Sequence, residues 1–296
     1  MAGKPAETRR WIDLHLHSSA SDGLLEPGEL MARAAAGHLS AVALTDHDTT
    51  YGLAEAAETA RAHGVEFVPG VEFSVQYDPG VMHLLGYFVD ARDRDLAGAC
   101  QRLVEGREVR NRRIVDCLID LGCDISYEQV RQIACGEAVG RPHIARALVQ
   151  SRCVRTVKQA FTKYLAKGER AYVPREKLSA AEAVRVIRGA GGVVALAHPV
   201  QLGCQTLAEL DGLVGGLVGL GVEAIEVHHP DHRPGDVRAC MELAKRYGLV
   251  MVGGSDFHGP VGRSRPRVGF SNSRIPYEWL TDLRSRLARR RADLAG

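Results

Sequence analysis

The 296-residue sequence has few aromatic residues, almost no net charge and no long apolar run. Aromatic residues make up only 5% of the chain, which excludes an extended stacking platform for single-stranded nucleic acid. Lysine and arginine total 38 against 36 acidic residues, a net charge of +2, so a polyanion must be recognised locally and not by a basic coat. The longest apolar stretch, residues 213–222, is too short to span a bilayer, which requires about 20 residues.

Features of secreted and thiol-based proteins are missing as well. Residues 1–10 are polar and basic and lack the apolar segment of a secretory signal. The seven cysteines are scattered, and no CxxC pair occurs. An odd number of isolated cysteines favours reduced thiols, because disulfide frameworks are typical of oxidising compartments. The sequence therefore predicts a cytoplasmic protein without membrane association, and it leaves the oligomeric state open.

The outer parts of the chain alternate short apolar runs with amphipathic segments. The apolar runs cover residues 11–16, 41–45, 65–71, 84–89, 193–197, 224–227 and 249–253. Helical patterns lie between them, as at 53–63 and 237–247, and a glycine follows each of these two at the usual helix stop. This alternation predicts an α/β fold with a largely parallel sheet.

The middle of the chain has a different pattern. Residues 93–178 show helical periodicity over 96–121, 141–151 and 156–166 and contain no strand-like run. We interpret this segment as a helical insertion that covers the active site. Residues 11–92 and 179–290 would then be the two halves of one discontinuous α/β barrel.

The ends of the predicted strands carry ionisable residues. In the first strand Asp13, His15 and His17 alternate with apolar residues and therefore share one face. Asp22 follows in a loop, and the ends of four later runs carry Asp46-His47-Asp48, Glu72, His198 and Asp256-Phe257-His258. Because the carboxyl ends of parallel barrel strands converge on one mouth, we expect these side chains to lie close together.

With His83, these segments supply nine candidate metal donors. They are His15, His17, Asp22, His47, Glu72, His83, His198, Asp256 and His258. Nine donors exceed what one catalytic zinc uses, which predicts two or three ions that share a bridging carboxylate. The mixture of imidazole and carboxylate suits Mn, Fe or Zn, and the lack of cysteine at strand ends favours hydrolysis over redox or thiol chemistry. His83 precedes its apolar run, so taken alone it fits a half-buried imidazole bonded to the backbone better.

Six segments resemble the motifs of the polymerase and histidinol phosphatase (PHP) superfamily. They are Asp-Leu-His-Leu-His at 13–17, Ser-Asp-Gly at 21–23, Thr-Asp-His-Asp at 45–48, Gly-Val-Glu at 70–72, Ala-His-Pro at 197–199 and Gly-Ser-Asp-Phe-His at 254–258. The resemblance implies a distorted (β/α)7 PHP barrel with a trinuclear metal centre, and it adds His83 to the ligands. It assigns His15, His17, Glu72 and Asp256 to the first ion, Asp22, His47 and His258 to the second, and Glu72, His83 and His198 to the third. Manganese is the metal we expect, with iron or zinc as alternatives.

Within the superfamily the chain is most similar to bacterial 3′,5′-nucleoside bisphosphate phosphatases, some of which are also 5′→3′ exoribonucleases on short RNA. This similarity implies that Arg107, Arg110 and Arg141 contact nucleotide phosphate. Arg107 and Arg110 are three residues apart and share a helix face, and a guanidinium holds phosphate through two parallel hydrogen bonds. Without the resemblance, a solvated helix face with salt bridges would be the better explanation of these arginines.

The sequence thus predicts a metal-dependent phosphatase that acts on a small phosphorylated nucleotide or a short RNA end. A metal-bridging hydroxide would attack the 3′-phosphate of a nucleoside 3′,5′-bisphosphate and release a nucleoside 5′-monophosphate. Asp48 and His229, at strand ends, would assist proton transfer or contact substrate, and loop capping is the alternative for Asp48. Two other functions remain open: hydrolysis of histidinol phosphate or another small phosphomonoester, and a non-catalytic metal-binding accessory domain.

Overall fold

The computed structural model describes residues 10–134, 139–259, 270 and 274–295, and the strands among them form one sheet. In chain order the strands are β1 (Trp11–Asp13), β2 (Leu39–Leu44), β3 (Glu66–Val75), β4 (Met82–Tyr87), β5 (Val193–Leu196), β6 (Ala224–His228), β7 (Val250–Gly253) and β8 (Ile275–Pro276). Their spatial order is β7-β6-β5-β4-β3-β2-β1-β8. The strands predicted from the apolar runs are therefore present and lie side by side.

Helices connect most of these strands. They are α1 (Pro27–Ala36), α2 (Leu53–Ala62), α3 (Arg94–Asp120), α4 (Tyr127–Ala134), α5 (Arg141–Gln150), α6 (Val157–Ala160), α7 (Ala180–Gly189), α8 (Leu207–Leu220), α9 (Pro234–Tyr247) and α10 (Glu278–Ala295), with a π-helical turn at Phe161–Leu165 and a 3-10 turn at Pro199–Leu202. The predicted glycine stop after residue 247 is confirmed, because Gly248 adopts a left-handed conformation with φ 61°. In the part of the chain that the structure describes, no helix combines the length and the apolar character that crossing a membrane requires.

The sheet curls into a nearly closed barrel. The chain beyond β1 meets the chain around the end of β7, where Leu14 N donates to Gly253 O at 3.1 Å and His17 N donates to Phe257 O at 3.0 Å. The pairs β1–β2, β2–β3, β5–β6 and β6–β7 are parallel. Their carboxyl ends therefore open at a single mouth, as an α/β barrel requires.

The strand pattern departs from a regular (β/α)7 barrel at β4 and β8. β4 follows β3 through a hairpin, without a helix between them, and pairs antiparallel with both β3 and β5. The two-residue β8 pairs antiparallel with β1. A hairpin reverses the chain whereas a crossover helix does not, so the amino end of β4 lies at the same mouth as the carboxyl ends of its neighbours.

Two hydrophobic clusters correspond to the barrel and to the helices between β4 and β5. The first packs strands against surrounding helices and includes Leu96, Ala99 and Leu103 in the first half of α3. The second runs from Ile114, in the other half of α3, to Ala171. The long helix α3 thus passes from one core into the other.

Two parts of the predicted barrel half 179–290, residues 260–269 and 271–273, lie outside the described residues. Cys135, in the insertion, also lies outside them, and the other six cysteines are free thiols.

Candidate metal centre and anion pocket

The first group of donors lies where β1 ends. His15 and His17 are fully buried and share a side of the chain, as the alternation predicts. Their Nε2 atoms lie 3.3 and 3.2 Å from Oε2 of Glu72 on β3, and 3.4 and 3.1 Å from Oδ1 of Asp256 after β7. The four ligand atoms lie within 4.8 Å of one another, so the structure brings together the side chains assigned to the first ion. Their role as ligands stays a prediction.

A second group shares His17 with the first. Its members are His17, Asp22, His47 and His258, with ligand atoms again within 4.8 Å of one another. His258 Nε2 lies 3.2 Å from Asp22 Oδ1, and its ring stacks on that of His17 with centroids 4.2 Å apart. The three residues assigned to the second ion therefore lie beside the first group and not at a separate site.

The loop that carries Asp22 is held in place by Asp46, a residue that we did not assign to the site. Asp46 Oδ1 accepts from Ser18 N at 2.8 Å and from Ser21 Oγ at 2.6 Å. Gly23 completes the turn, because a Cβ there would lie 2.3 Å from a backbone carbonyl oxygen. The buried carboxylate of Asp46 thus folds the loop that presents Asp22 to the second group.

The third group consists of Glu72, His83 and His198, and it shows why His83 is the exception to the strand-end pattern. His83 Nδ1 and His198 Nε2 lie 2.8 and 2.9 Å from Glu72 Oε1, and 3.2 Å from each other. His83 is near the beginning of β4, and the antiparallel direction of β4 brings this end to the mouth. Glu72 itself lies inside β3 and not after it, contrary to the prediction, because β3 continues to Val75 in its hairpin with β4.

The electrostatics and unsatisfied atoms of these groups fit divalent cations. Burial opposes the ionisation of Glu72, but His47 and His83 outweigh it and hold the pKa of Glu72 well below its ordinary value. In the same way, burial opposes and His15 favours the ionisation of Asp256, whose pKa is also lowered strongly. Among the described residues, buried ligand atoms without a hydrogen-bond partner include His15 Nε2, His17 Nε2, Asp22 Oδ1 and Glu72 Oε2. Such atoms facing one another at 3–4 Å are suited to surround cations.

Two further buried carboxylates support this centre. Asp13 Oδ1 accepts from Ser255 N at 2.9 Å and from His15 N at 3.3 Å, and burial raises the pKa of Asp13 to about 6. Glu226, on β6, accepts from His15 Nδ1 at 2.9 Å and from His198 N at 2.7 Å. Sequence reasoning missed Glu226, although a carboxylate within the otherwise apolar run 224–227 was a usable signal.

In the structure Asp48 and His229 are bound to neighbouring residues, and their part in catalysis stays a prediction. Asp48 accepts from Arg107, from Arg175 Nη1 at 2.8 Å and from Ser74 N at 2.9 Å. Burial opposes its charge, but the two guanidinium groups prevail and keep the pKa of Asp48 well below the ordinary value. His229 Nδ1 accepts from a backbone N–H at 3.1 Å, so its Nε2 donates to Asp256 Oδ2 at 3.2 Å. Both side chains hold other residues in position.

The predicted arginines come together beside the donors. Arg107 and Arg110, on the inner face of α3, are only 5% and 6% exposed, and Arg141 begins α5 and donates to Leu165 O at 3.2 Å. Burial and neighbouring arginines lower the pKa of Arg110. No acidic side chain pairs with Arg110 in the described part of the chain, and its Nε has no hydrogen-bond partner there. A buried guanidinium without a counter-charge calls for an anionic ligand.

A fourth arginine, Arg175, was not predicted. It follows the insertion helices in a segment without periodicity, so the sequence offered no signal for it. Together with Arg110 and Arg141 it lines a cavity of about 490 Å³, whose wall also includes Tyr172 and Lys177. We call this cavity the anion pocket. Asp48 links it to the donor groups, since Asp48 is bonded to Arg175 and follows His47 in the chain.

Buried imidazole and carboxylate donors, next to cations that can hold a phosphate, are what hydrolysis of a phosphate ester by metal ions requires. Fold and site together define a metal-dependent hydrolase of the phosphoesterase class. Sequence comparison then gives the family: the chain belongs to the PHP domain family, whose profile matches residues 13–173.

Three relatives that match most of the chain bear the names of phosphate-ester hydrolases. A 3′,5′-nucleoside bisphosphate phosphatase of Chromobacterium violaceum is 39% identical, over 90% of this chain and 93% of that protein. A 5′-3′ exoribonuclease of Haemophilus influenzae is 35% identical over 84% and 90% of the two chains. A phosphoribosyl 1,2-cyclic phosphate 1,2-diphosphodiesterase of Eggerthella lenta is also 35% identical, over 89% and 98%.

Two solved structures share the fold over nearly the whole chain. An amidohydrolase from Chromobacterium violaceum with bound sulfate superposes with a TM-score of 0.81 at 35% identity, covering 93% of this chain and 96% of that one. A candidate metal-dependent phosphoesterase from Bifidobacterium adolescentis gives the same TM-score at 27% identity, covering 94% and 96%. The helices between β4 and β5 are therefore part of the shared architecture.

Proposed function

We propose that this protein removes the 3′-phosphate from nucleoside 3′,5′-bisphosphates and yields nucleoside 5′-monophosphates. One observation carries the proposal: a pocket of buried arginines, one of them without a counter-charge, adjoins a cluster of metal donors. Two neighbouring centres that attract anions match a substrate with two phosphates. Similarity to a 3′,5′-nucleoside bisphosphate phosphatase, at 39% identity, supports the same substrate class.

The nine donors would hold two or three divalent ions, for which we propose Mn²⁺. When bound, such ions lower the pKa of water to near neutrality and polarise the phosphate that is attacked. The residues of the chain arrange this chemistry. Glu72 offers one carboxylate oxygen to the first group and the other to the third, so it is suited to bridge ions. Asp22, on the loop that Asp46 folds, supplies the carboxylate of the second group.

The anion pocket would hold the 5′-phosphate. Guanidinium groups bind phosphate through paired, charge-assisted hydrogen bonds, and those of Arg110 and Arg141 line the cavity. Arg107 and Arg175 are fixed by Asp48, which leaves their remaining N–H groups for the ligand. With the 5′-phosphate anchored, water attacks phosphorus, the bond to O3′ breaks, and the released alkoxide takes a proton to become the 3′-hydroxyl.

The positive charge of the anion pocket also distinguishes between the alternative substrates. Lys177 extends the positive lining of the pocket, whereas Lys167 there is paired with Asp78. The positive lining supports binding of a short RNA through its 5′-terminal phosphate, and exoribonucleases are among the relatives. Histidinol phosphate carries an ammonium group, which the three arginines that line the pocket would repel. We therefore place the bisphosphate first and the RNA end second.

The test compares a substrate that has both the scissile 3′-phosphate and the distal 5′-phosphate with compounds that lack one or both of them. Release of inorganic phosphate is measured for adenosine 3′,5′-bisphosphate, adenosine 3′-monophosphate, adenosine 5′-monophosphate and histidinol phosphate with Mn²⁺ present. We expect the highest kcat/KM for the bisphosphate, and a KM for the 3′-monophosphate raised about 10-fold or more by loss of one charged contact. Equal kcat/KM for the 3′,5′-bisphosphate and the 3′-monophosphate, or preference for histidinol phosphate, would refute the assignment.

A further inference from the structure

We propose that Glu226 is a positioning residue that couples the first and third ion sites. The proposal rests on the metal centre put forward above and names a residue that touches neither ion. Glu226 lies on β6 with no exposed surface, between one residue of the first donor group, His15, and one of the third, His198. Each of its two oxygens holds one of them.

The contact with His15 fixes which ring nitrogen faces the donors. Glu226 Oε1 lies 2.9 Å from His15 Nδ1, and an ionised carboxylate can only accept, so Nδ1 carries the proton. The neutral ring then presents the lone pair of Nε2, and this atom lies 3.3 Å from Glu72 Oε2. A carboxylate behind a histidine ligand in this way orients the ring and increases its basicity.

The contact with His198 holds the main chain instead of the ring. Glu226 Oε2 accepts from His198 N at 2.7 Å, where the backbone of His198 has φ 26° and ψ 66°. Residues other than glycine rarely adopt positive φ, and such a conformation persists only where its surroundings enforce it. The bond to Glu226 therefore helps to keep His198 Nε2 at 2.9 Å from Glu72 Oε1.

The second donor group has its own buried carboxylate. Asp22 depends on the loop that Asp46 folds through Ser18 and Ser21, and no contact joins Glu226 to Asp22, His47 or His258 in the described structure. Loss of Glu226 should therefore weaken two ion sites and spare the second. Loss of Asp46 should weaken the second site and spare the other two.

The variant Glu226→Gln keeps the size of the side chain but has one acceptor oxygen for two N–H donors, so one contact must fail. Asp46→Asn is the matched control. Each protein is loaded with Mn²⁺, dialysed against a chelator that leaves the wild type full, and analysed for bound manganese per chain. Competition with a metal indicator gives the affinities, and the unfolding temperature of each metal-free protein reports on the fold.

We expect Glu226→Gln to lose about 10- to 100-fold in affinity for two ions and to retain the remaining one, whereas Asp46→Asn loses one and retains the others. The unfolding temperatures of the metal-free proteins should be close to that of the wild type. Unchanged affinities in Glu226→Gln, or equal losses at all sites together with a lower unfolding temperature of the metal-free form, would overturn the coupling. If the wild type binds Mn²⁺ and Glu226→Gln loses two ions while no nucleotide is hydrolysed, the coupling stands and the proposed substrate fails.

Discussion

Arg175 reaches Asp48 across 127 positions of the chain and donates from Nη1 to Oδ2 at 2.8 Å. This bond ties the last part of the insertion to the end of a barrel strand, and Arg107 binds the same carboxylate from α3. Asp48 is fully buried, so it balances two arginines where no solvent can do so. The anion pocket is thus built on a carboxylate of the barrel.

Replacing Asp48 with Asn should destabilise the protein and make it depend on added anions. Removal of one partner from a buried ion pair leaves the other charge uncompensated and costs about 3–5 kcal/mol. Urea unfolding should show this loss in buffer without multivalent anions, and sulfate should recover part of it by occupying the pocket. Asp90→Asn, which breaks an exposed pair with Arg92, serves as control and should change little. A variant as stable as the wild type without sulfate would contradict the role of Asp48.

Arg110→Met should weaken binding of the distal 5′-phosphate and leave reaction at the 3′-phosphate unaffected. The side chain lines the anion pocket, whose lining residues include none of the nine donors, so its loss should lower kcat/KM for the bisphosphate about 10- to 100-fold. The value for a nucleoside 3′-monophosphate, which has no distal phosphate, should stay unchanged. Arg113→Met, an exposed arginine on the same helix, is the matched control. A parallel fall for both substrates would place Arg110 at the scissile phosphate instead.

The sequence predicted which side chains would lie together because their arrangement follows from strand periodicity. Alternation put His15 and His17 on one face, and the convergence of parallel strands at one mouth brought in His47 and Asp256. His83 is the instructive case, because only the hairpin between β3 and β4 places it at the mouth. Apolar runs do not reveal strand direction, so the family resemblance was needed there.

The positions that were missed depend on partners distant in sequence. Glu226 looks like part of a buried strand until His15, 211 positions away, is seen to donate to it. Arg175 lies in an irregular segment and acquires its role only through Asp48. Asp48 binds two arginines, Arg107 and Arg175, that could not be inferred from the local pattern. Helix α4 at Tyr127–Ala134 was also not predicted.

His17→Ala should remove more than one ion, since His17 belongs to two of the donor groups. Elemental analysis of the variant after loading with Mn²⁺ should show a loss of more than one ion per chain relative to the wild type, and phosphate release should fall to background. His63→Ala, an exposed histidine after α2, is the control and should retain full metal content. Chelation of the wild type should abolish activity reversibly, with recovery on addition of Mn²⁺. A His17→Ala protein with normal metal content would refute the shared role.

His143 should make the stability of the insertion sensitive to acid. This imidazole, 1% exposed in the first turn of α5, accepts from Gly140 N at 2.9 Å through Nδ1, and burial lowers its pKa from 6.5 to about 4. The folded state therefore keeps His143 neutral while the unfolded chain takes up a proton below pH 6.5, so stability is lost as pH falls from about 6.5 to about 4. A shift of this size corresponds to about 3 kcal/mol.

The variant His143→Gln tests this prediction. Its side chain retains an acceptor for Gly140 N, as in a capping box, but does not titrate. The difference in free energy of unfolding between wild type and variant should therefore change by about this amount between neutral pH and about pH 4, to the disadvantage of the wild type. His63→Gln, measured in parallel, should show no such change because His63 is exposed. Parallel stability profiles for wild type and His143→Gln would show that His143 is protonated in the folded protein, and its bond to Gly140 would then require a different explanation.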